Sequence, residues 1–121
     1  TAFDPDAPAT TSRTVLEDVI RGMIGFQGLV ISDDLCMSAL RGTPSERAAA
    51  ALTAGCDLLL HCNGVLAEMV QVAEGCGDLE PAQQHRLAAA GTLVHAAEPF
   101  DCAQGLARLQ ALLTSETATV A

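Results

Sequence analysis

The chain has 121 residues, enough for one domain or part of one and too few for two independent cores. Half of the residues are hydrophobic and 17% are charged, which excludes general disorder and collagen-like repeats. Fifteen acidic residues stand against six arginines and no lysine, for a net charge of −9, and three phenylalanines are the only aromatic residues. This composition repels phosphate backbones and offers few rings for base stacking, so we expect no nucleic-acid partner.

The sequence also indicates the compartment. No run approaches the roughly 20 apolar residues of a membrane helix, and residues 1–11 lack the pattern of a signal peptide, so we expect a cytoplasmic protein without a membrane partner. Because the chain begins with Thr1 rather than Met, in a segment rich in turn residues, we also expect further chain before it.

Five cysteines are present, at Cys36, Cys56, Cys62, Cys76 and Cys102. Their odd number and the absence of C-x-x-C argue against a disulfide framework and a zinc ribbon, and favour reduced, mostly buried thiols.

The first predicted elements are a helix and a buried strand. A helical stripe is formed by Leu16, Val19, Ile20 and Met23. With Ser12 as the N-cap and Gly25 as the stop, this stripe predicts a helix over 13–24. The apolar run 28–32 does not alternate, which predicts a strand buried on both faces that stops before Asp33 and Asp34.

The next segment predicts a β-α-β unit. Residues 43–46 read Thr-Pro-Ser-Glu, the pattern of a capping box with proline at the first helical position, and Gly55 supplies the stop. We expect the small-residue face of this helix to include Ala48, Ala51 and Leu52. The run 58–60 predicts a second strand, parallel to the first through a right-handed crossover. A further helix, capped by Asn63, then carries an apolar stripe of Leu66, Met69, Val70 and Ala73.

The carboxyl-terminal third contains no further strand signal. Residues 81–98 and 103–113 are typical of two Ala-rich helices divided by Pro99, and residues 114–121 predict a frayed tail. Two strands do not make a stable parallel sheet by themselves. We therefore expect the chain to be the end of a larger α/β protein.

Asp33 has the position of a functional residue. In parallel α/β folds, ligands bind at the carboxyl ends of the strands. Alternation along the strand places Asp33 on the face of Leu29 and Ile31. Asp34 lies on the opposite face, so only one of the two carboxylates leads into a pocket. Position alone leaves Asp33 open to four roles: nucleophile, metal ligand, phosphate acceptor or cap of the next turn.

A longer run resembles a known family. Residues 21–37 read R-G-M-I-G-F-Q-G-L-V-I-S-D-D-L-C-M, followed by Glu46-Arg47 and by A-G-C-D at 54–57. This pattern is similar to that of family 3 glycoside hydrolases, in the β-N-acetylhexosaminidases of the NagZ type. The resemblance covers about residues 3–66 and is looser through the last helices. It implies that residues 1–121 form the carboxyl-terminal portion of a TIM (β/α)8-type barrel, with Asp33 after the seventh strand and 58–62 as the eighth.

The resemblance also implies a chemistry. Asp33 corresponds to the catalytic nucleophile of a retaining glycosidase, and Asp34 to a neighbour that supports the loop. The implied reaction releases terminal non-reducing N-acetylglucosamine from muropeptides or chitobiose-like substrates, in peptidoglycan recycling and without a cofactor. The family's acid/base histidine precedes the nucleophile, in a K-H-F-P-G-H-G-type motif that has no counterpart in these residues. We therefore expect the isolated chain to be inactive without the amino-terminal barrel portion, and hydrolase or phosphorylase behaviour stays open.

Several residues keep alternative roles. His61 either contacts the sugar or is a hydrogen-bonded packing histidine, Cys62 is expected to be a small buried residue, and the role of Met37 is open. Asp33 and Asp34 together suit Mg²⁺, although a third acidic ligand is not evident, and a metal-dependent phosphotransfer domain ranks behind the glycosidase. A different class of function is a non-catalytic barrel remnant or assembly module that pairs with a separate amino-terminal part.

Overall fold

The computed structural model describes residues 2–96 and 99–116, with side chains to residue 114. The elements follow in the order 3-10 turn Ala9–Thr11, π-helix Thr14–Met23, strand β1 Ile31–Asp34, helix α1 Pro44–Ala54, strand β2 Leu58–Leu60, and helices α2 Leu66–Cys76, α3 Pro81–Gly91 and α4 Cys102–Glu116. The two strands pair in parallel across α1, which confirms that prediction, and they are the only strands among the described residues. None of the described helices is both long and apolar enough to cross a membrane.

The helix before β1 lies within a residue of its predicted bounds but is wound more widely. The N–H of Ile24 donates to the carbonyl of Val19, five residues earlier, as in a π-helix. Ser12 makes the predicted capping contact, because its hydroxyl oxygen accepts from the N–H of Val15 at 3.1 Å. Leu16 is buried as predicted, whereas Met23, at the end of the apolar stripe, is exposed.

Strand β1 begins later than predicted. It spans Ile31–Asp34 instead of 28–32, so both aspartates lie inside the strand. The prediction that the strand stops before Asp33 is wrong, because the N–H of Leu35 donates to the carbonyl of Leu60 at 2.9 Å and extends the pairing. The register shifts within β1. Ile31 pairs with Leu58 and Asp34 pairs with Leu60, so this stretch of β1 is one residue longer than the stretch of β2 that it faces.

Only one face of the two-stranded sheet carries the core. Val30 and Leu59 pack against the buried cluster that the helices build, and Ser32 is buried. Ile31 is 54% exposed and Leu60 is also exposed. The prediction that β1 is buried on both faces is therefore wrong for this chain, since no further strands from the described residues flank the sheet or cover its open face.

Helix α1 forms as the sequence predicts. The N–H of Glu46 donates to Thr43 Oγ1 at 3.3 Å, and the Glu46 carboxylate accepts from the N–H of Thr43 at 2.8 Å, which completes the capping box. Ala48 and Ala51 are fully buried, and the positive φ of Gly55 ends the helix. This helix is the centre of the core and carries the chain from β1 back to the start of β2.

The buried face of α2 differs from the predicted stripe. Four residues expected in the core are exposed: Leu66, Met69, Val70 and Ala73. Val72 is buried instead, and a Cβ at Gly75 would lie 2.3 Å from the carbonyl oxygen of Ser45, so this close approach to α1 sets the rotation of α2. Asn63 accepts from the N–H of Val65 at 2.9 Å, ahead of the helix, so it shapes the preceding turn and does not cap the helix.

The last two helices differ from the prediction in length. Helix α3 ends at Gly91 instead of extending to residue 98, and a turn through residues 92–93 follows it. Residues 97–98 lie outside the described part of the chain. Helix α4 continues to Glu116 instead of ending at residue 113, and residues 117–121 lie outside the described residues, so the expected frayed tail stays a prediction.

A buried carboxylate links α3 and the π-helix to the sheet. Asp57, directly before β2, is 1% exposed and accepts hydrogen bonds from Arg21 Nη2 at 2.8 Å, from the N–H of Val30 at 2.8 Å and from two nitrogens of Arg86. Burial opposes ionisation of Asp57, but the Arg86 hydrogen bond and the neighbouring charges outweigh it and hold the pKa below its ordinary 3.8. Three separate segments therefore meet at one ion-pair network.

Candidate functional site

The candidate site lies where β1 and β2 end. Asp33 is exposed in β1, on the face that also carries Ile31 and opposite the buried Ser32. Its Oδ1 accepts the N–H of Asp34 at 2.8 Å, and among the described residues its other carboxylate oxygen has no hydrogen-bond partner. The carboxylate is therefore available to an incoming group on the open face of the sheet.

Asp34 is held by the protein. Its Oδ1 accepts the N–H of Cys36 at 3.0 Å and the N–H of Cys62 at 3.1 Å, so one oxygen joins the loops that follow the two strands. The hydrogen bond from Cys36 is the main cause that lowers the pKa of Asp34. The two adjacent carboxylates thus have different surroundings: Asp33 faces outward, and Asp34 is a fixed link between loops.

A second side-chain pair lies beside Asp34. The side chain of His61 is 8% exposed, and its Nδ1 is 3.2 Å from Cys36 Sγ. Its Nε2 is 4.0 Å from the Glu68 carboxylate. This geometry matches the interpretation of His61 as a hydrogen-bonded packing residue, while contact with a sugar stays a prediction.

Sequence reasoning missed the pairing of Cys36 with His61. The two residues are 25 positions apart and follow no metal-binding spacing. The available signal was their placement, since each follows one of two parallel strands whose carboxyl ends meet at the same edge. Met37, whose role was open, contributes its N–H to the carbonyl of Asp34 in the turn after β1.

Three groups in this region are placed to hold a cation. Asp34, Cys36 and His61 each offer one ligand atom, and these atoms lie within 4.8 Å of one another. Asp33 is not part of this group. Within the described residues, no third acidic side chain joins Asp33 and Asp34, so the magnesium arrangement considered from the sequence gains no further ligand.

The five cysteines are all free thiols. Only Cys56 is fully buried, and burial beside Asp57 raises its pKa to about 11. The expectation of mostly buried thiols is therefore wrong. Cys62, which was expected to be a small buried residue, is exposed, and so is Cys102.

A cavity of about 230 Å³ borders Asp33 on the side of the π-helix and the amino-terminal segment. Most of its lining is apolar and includes Val15, Ile20, Val30 and Ile31. A larger cavity of about 660 Å³ lies farther along the same strand, between Ile31 and α3, and Asp33 does not line it. Asp33 is therefore one of the residues that line the smaller of these two cavities.

Comparison with known proteins identifies the family. Residues 1–94 match the glycosyl hydrolase family 3 N-terminal domain. A beta-hexosaminidase of Tolumonas auensis is 55% identical over 60 residues, covering 48% of this chain and 18% of its own length. One from Nitrosospira multiformis is 46% identical over 83 residues, covering 67% of this chain and 24% of its own. A third beta-hexosaminidase, from Aromatoleum aromaticum, is 38% identical over 99 residues, covering 80% of this chain and 28% of its own length.

A solved structure agrees with these matches. The beta-N-acetylhexosaminidase of Beutenbergia cavernae superposes with a TM-score of 0.50 at 29% identity, over 74% of this chain and 30% of that one. The chain thus spans less than a third of the length of each of these relatives. With more than three quarters of its residues inside the family match, the chain belongs to the glycosyl hydrolase family 3 N-terminal domain family, whose fold is of the TIM-barrel type.

Proposed function

We propose that this chain is part of a retaining β-N-acetylhexosaminidase and that Asp33 is its catalytic nucleophile. The observation that carries the proposal is the exposed Asp33 carboxylate at the carboxyl end of a parallel strand, on the face away from the core. Ligands of TIM-type barrels bind at that end of the strands. Asp34 is less suited to attack a sugar, because its Oδ1 is already engaged by two backbone N–H groups.

The proposed reaction has two steps. An oxygen of Asp33 bonds to the anomeric carbon while the glycosidic bond breaks, and the departing oxygen takes a proton from a general acid. Water then attacks the anomeric carbon, gives up a proton to the same group acting as base, and releases the Asp33 carboxylate. Asp34 acts as a positioning residue, since its hydrogen bonds to Cys36 and Cys62 fix the backbone on which Asp33 sits.

The remainder of the barrel is a required partner in this proposal. A TIM barrel has eight strands, whereas the described residues contain two. Ile31 and Leu60 are exposed on the sheet, in the manner of side chains that other strands would cover. We propose that an amino-terminal barrel portion covers this face and supplies the general acid, so that this chain is the carboxyl-terminal part of the barrel and is inactive alone.

The proposed substrate is a glycoside with a terminal N-acetylglucosamine. The names of the hexosaminidase relatives support this substrate class. The resemblance to enzymes of the NagZ type is the support for muropeptides as the natural substrates, for a role in peptidoglycan recycling and for a cytoplasmic location.

Complementation tests the proposal. The chain is combined with the amino-terminal barrel portion of the Nitrosospira multiformis relative, and release of p-nitrophenol from its N-acetylglucosaminide is measured. We expect activity with the native chain and a loss of at least about a thousandfold with Asp33→Asn, because the covalent step then lacks its nucleophile. Asp18→Asn, which alters an exposed aspartate of the π-helix, is the matched control and should keep full activity.

Two results would count against the nucleophile. Turnover that persists in Asp33→Asn contradicts the assignment directly. A stable complex that never hydrolyses the substrate, with either the native chain or the control, favours the alternative of a non-catalytic assembly module.

A further inference from the structure

We propose that Asp34, Cys36 and His61 form a binding site for a thiophilic divalent cation, with Zn²⁺ as the best match. Asp34 ends β1, Cys36 lies in the turn after it, and His61 directly follows β2. Their ligand atoms all lie within 4.8 Å of one another. The site does not use Asp33 and does not depend on the proposed glycosidase activity.

The donor set selects the metal. A thiolate, an imidazole and a carboxylate together match Zn²⁺, whereas Mg²⁺ and Ca²⁺ prefer sites made of oxygen ligands. Zinc binds sulfur at about 2.3 Å and nitrogen at about 2.0–2.1 Å, so tetrahedral geometry places these two ligands about 3.5 Å apart. Cys36 Sγ is 3.2 Å from His61 Nδ1 and 3.9 Å from Nε2, so the separation suits a shared ion once the imidazole ring rotates to turn Nδ1 towards it.

The groups around the ligands support the same assignment. The carboxylate of Asp34 is fixed by the N–H groups of Cys36 and Cys62, an outer-shell arrangement that orients a ligand. The Glu68 carboxylate lies 4.0 Å from Nε2 of His61, beyond hydrogen-bond distance, and accepts from Asn63 Nδ2 at 2.6 Å. Metal-binding histidines commonly donate their second N–H to a carboxylate, and Glu68 is the nearest acid for that role once the ring rotates.

The binding step is an exchange of one proton for the metal. The thiol of Cys36 releases its proton to the buffer as its sulfur bonds to the ion, and no electron is transferred. Three protein ligands leave one tetrahedral position for water, so the site is of the open kind.

Cobalt substitution tests the site in the full 121-residue chain. Co²⁺ is titrated in the presence of a non-thiol, non-chelating reductant, and the thiolate-to-cobalt charge-transfer absorption is followed in the near ultraviolet, where a chain without Trp or Tyr absorbs little. We expect one equivalent to bind and Zn²⁺ to displace it. Cys36→Ser and His61→Gln should each weaken binding by at least about tenfold, whereas Cys102→Ser, at an exposed thiol on α4, should leave it unchanged.

A second measurement needs no variant. The rate at which iodoacetamide alkylates each cysteine is compared with and without Zn²⁺ by peptide mass spectrometry, and we expect protection of Cys36 but not of Cys102. Equal alkylation of Cys36 in both conditions overturns the proposal. The proposal is also overturned if Cys36→Ser keeps the charge-transfer band, or if Cys102→Ser weakens the band as much as Cys36→Ser does. In either case, adventitious thiols hold the metal.

Discussion

Replacing Asp57 by asparagine removes the negative charge at the meeting point of Arg21 and Arg86. The carboxylate is 1% exposed and accepts hydrogen bonds from both guanidinium groups and from the N–H of Val30. The variant leaves two arginines facing a neutral amide, one of whose two polar atoms is now a donor. Burial of Asp57 makes this loss costly, since no other acidic side chain among the described residues pairs with Arg21 or Arg86.

The size of the effect follows from the exposure of the partners. Breaking a buried ion pair by removing one member costs about 3–5 kcal/mol. The side chains of Arg21 and Arg86 are 14% and 27% exposed, so both regain some water, and we expect the lower end of that range, about 3 kcal/mol. A loss of about 3 kcal/mol lowers the equilibrium constant for folding about a hundredfold.

Urea unfolding followed by far-ultraviolet circular dichroism measures this difference, since the chain has no Trp or Tyr to report by fluorescence. The matched control is Asp18→Asn, which changes an exposed aspartate and should shift the free energy of unfolding by no more than about 0.5 kcal/mol. If the free energy of unfolding of Asp57→Asn differs from that of the native chain by no more than the control does, the ion-pair network does not hold α3 and the π-helix to the sheet.

Three further predictions concern stability. The folded-state pKa of Asp57 lies below 3.8, so the stability that its ionised carboxylate contributes is complete above pH 3.8 and is lost as the pH falls through the lower value. In acid titration, the native chain should therefore lose stability more steeply than Asp57→Asn. Parallel curves of stability against pH for the two proteins would contradict this. Thr43→Ala removes the α1 cap and should cost about 1 kcal/mol in urea unfolding, more than Thr53→Ala on the exposed face of the same helix. Gly75→Ala places a Cβ 2.3 Å from a backbone carbonyl of α1 and should lower stability by about 1–3 kcal/mol, whereas Gly91→Ala meets no atom within 4 Å; equal thermal midpoints for these two variants would refute the close approach.

Local sequence signals predicted the elements whose cause is local. The capping box of Thr43 and Glu46 depends only on residues three positions apart, and it is present with both hydrogen bonds. The parallel pairing of the two apolar runs follows from their separation by one helix. The exposed position of Asp33 at the end of β1 follows from strand alternation, so the central residue of the candidate site was accessible from the sequence.

Features set by contacts between distant residues were not accessible in this way. The buried side of α2 depends on how closely Gly75 approaches the backbone of α1, which periodicity within α2 does not encode. The same reason applies to the Cys36–His61 contact and to the Asp57 network, both of which join residues more than 20 positions apart. The π-type winding before β1 was also not predicted, and the open face of the sheet reflects the absence of further strands from the described residues.

Covalent trapping of the glycosyl-enzyme identifies the nucleophilic residue itself. The chain, complemented by the amino-terminal barrel portion, is treated with a fluorinated N-acetylglucosaminyl fluoride that forms the glycosyl-enzyme but releases it slowly, and the labelled peptide is sequenced by mass spectrometry. We predict one sugar attached to the Asp33 carboxylate and none in Asp33→Asn. A label on Asp34, or on a residue of the amino-terminal portion, would contradict the assignment of Asp33 as the nucleophile.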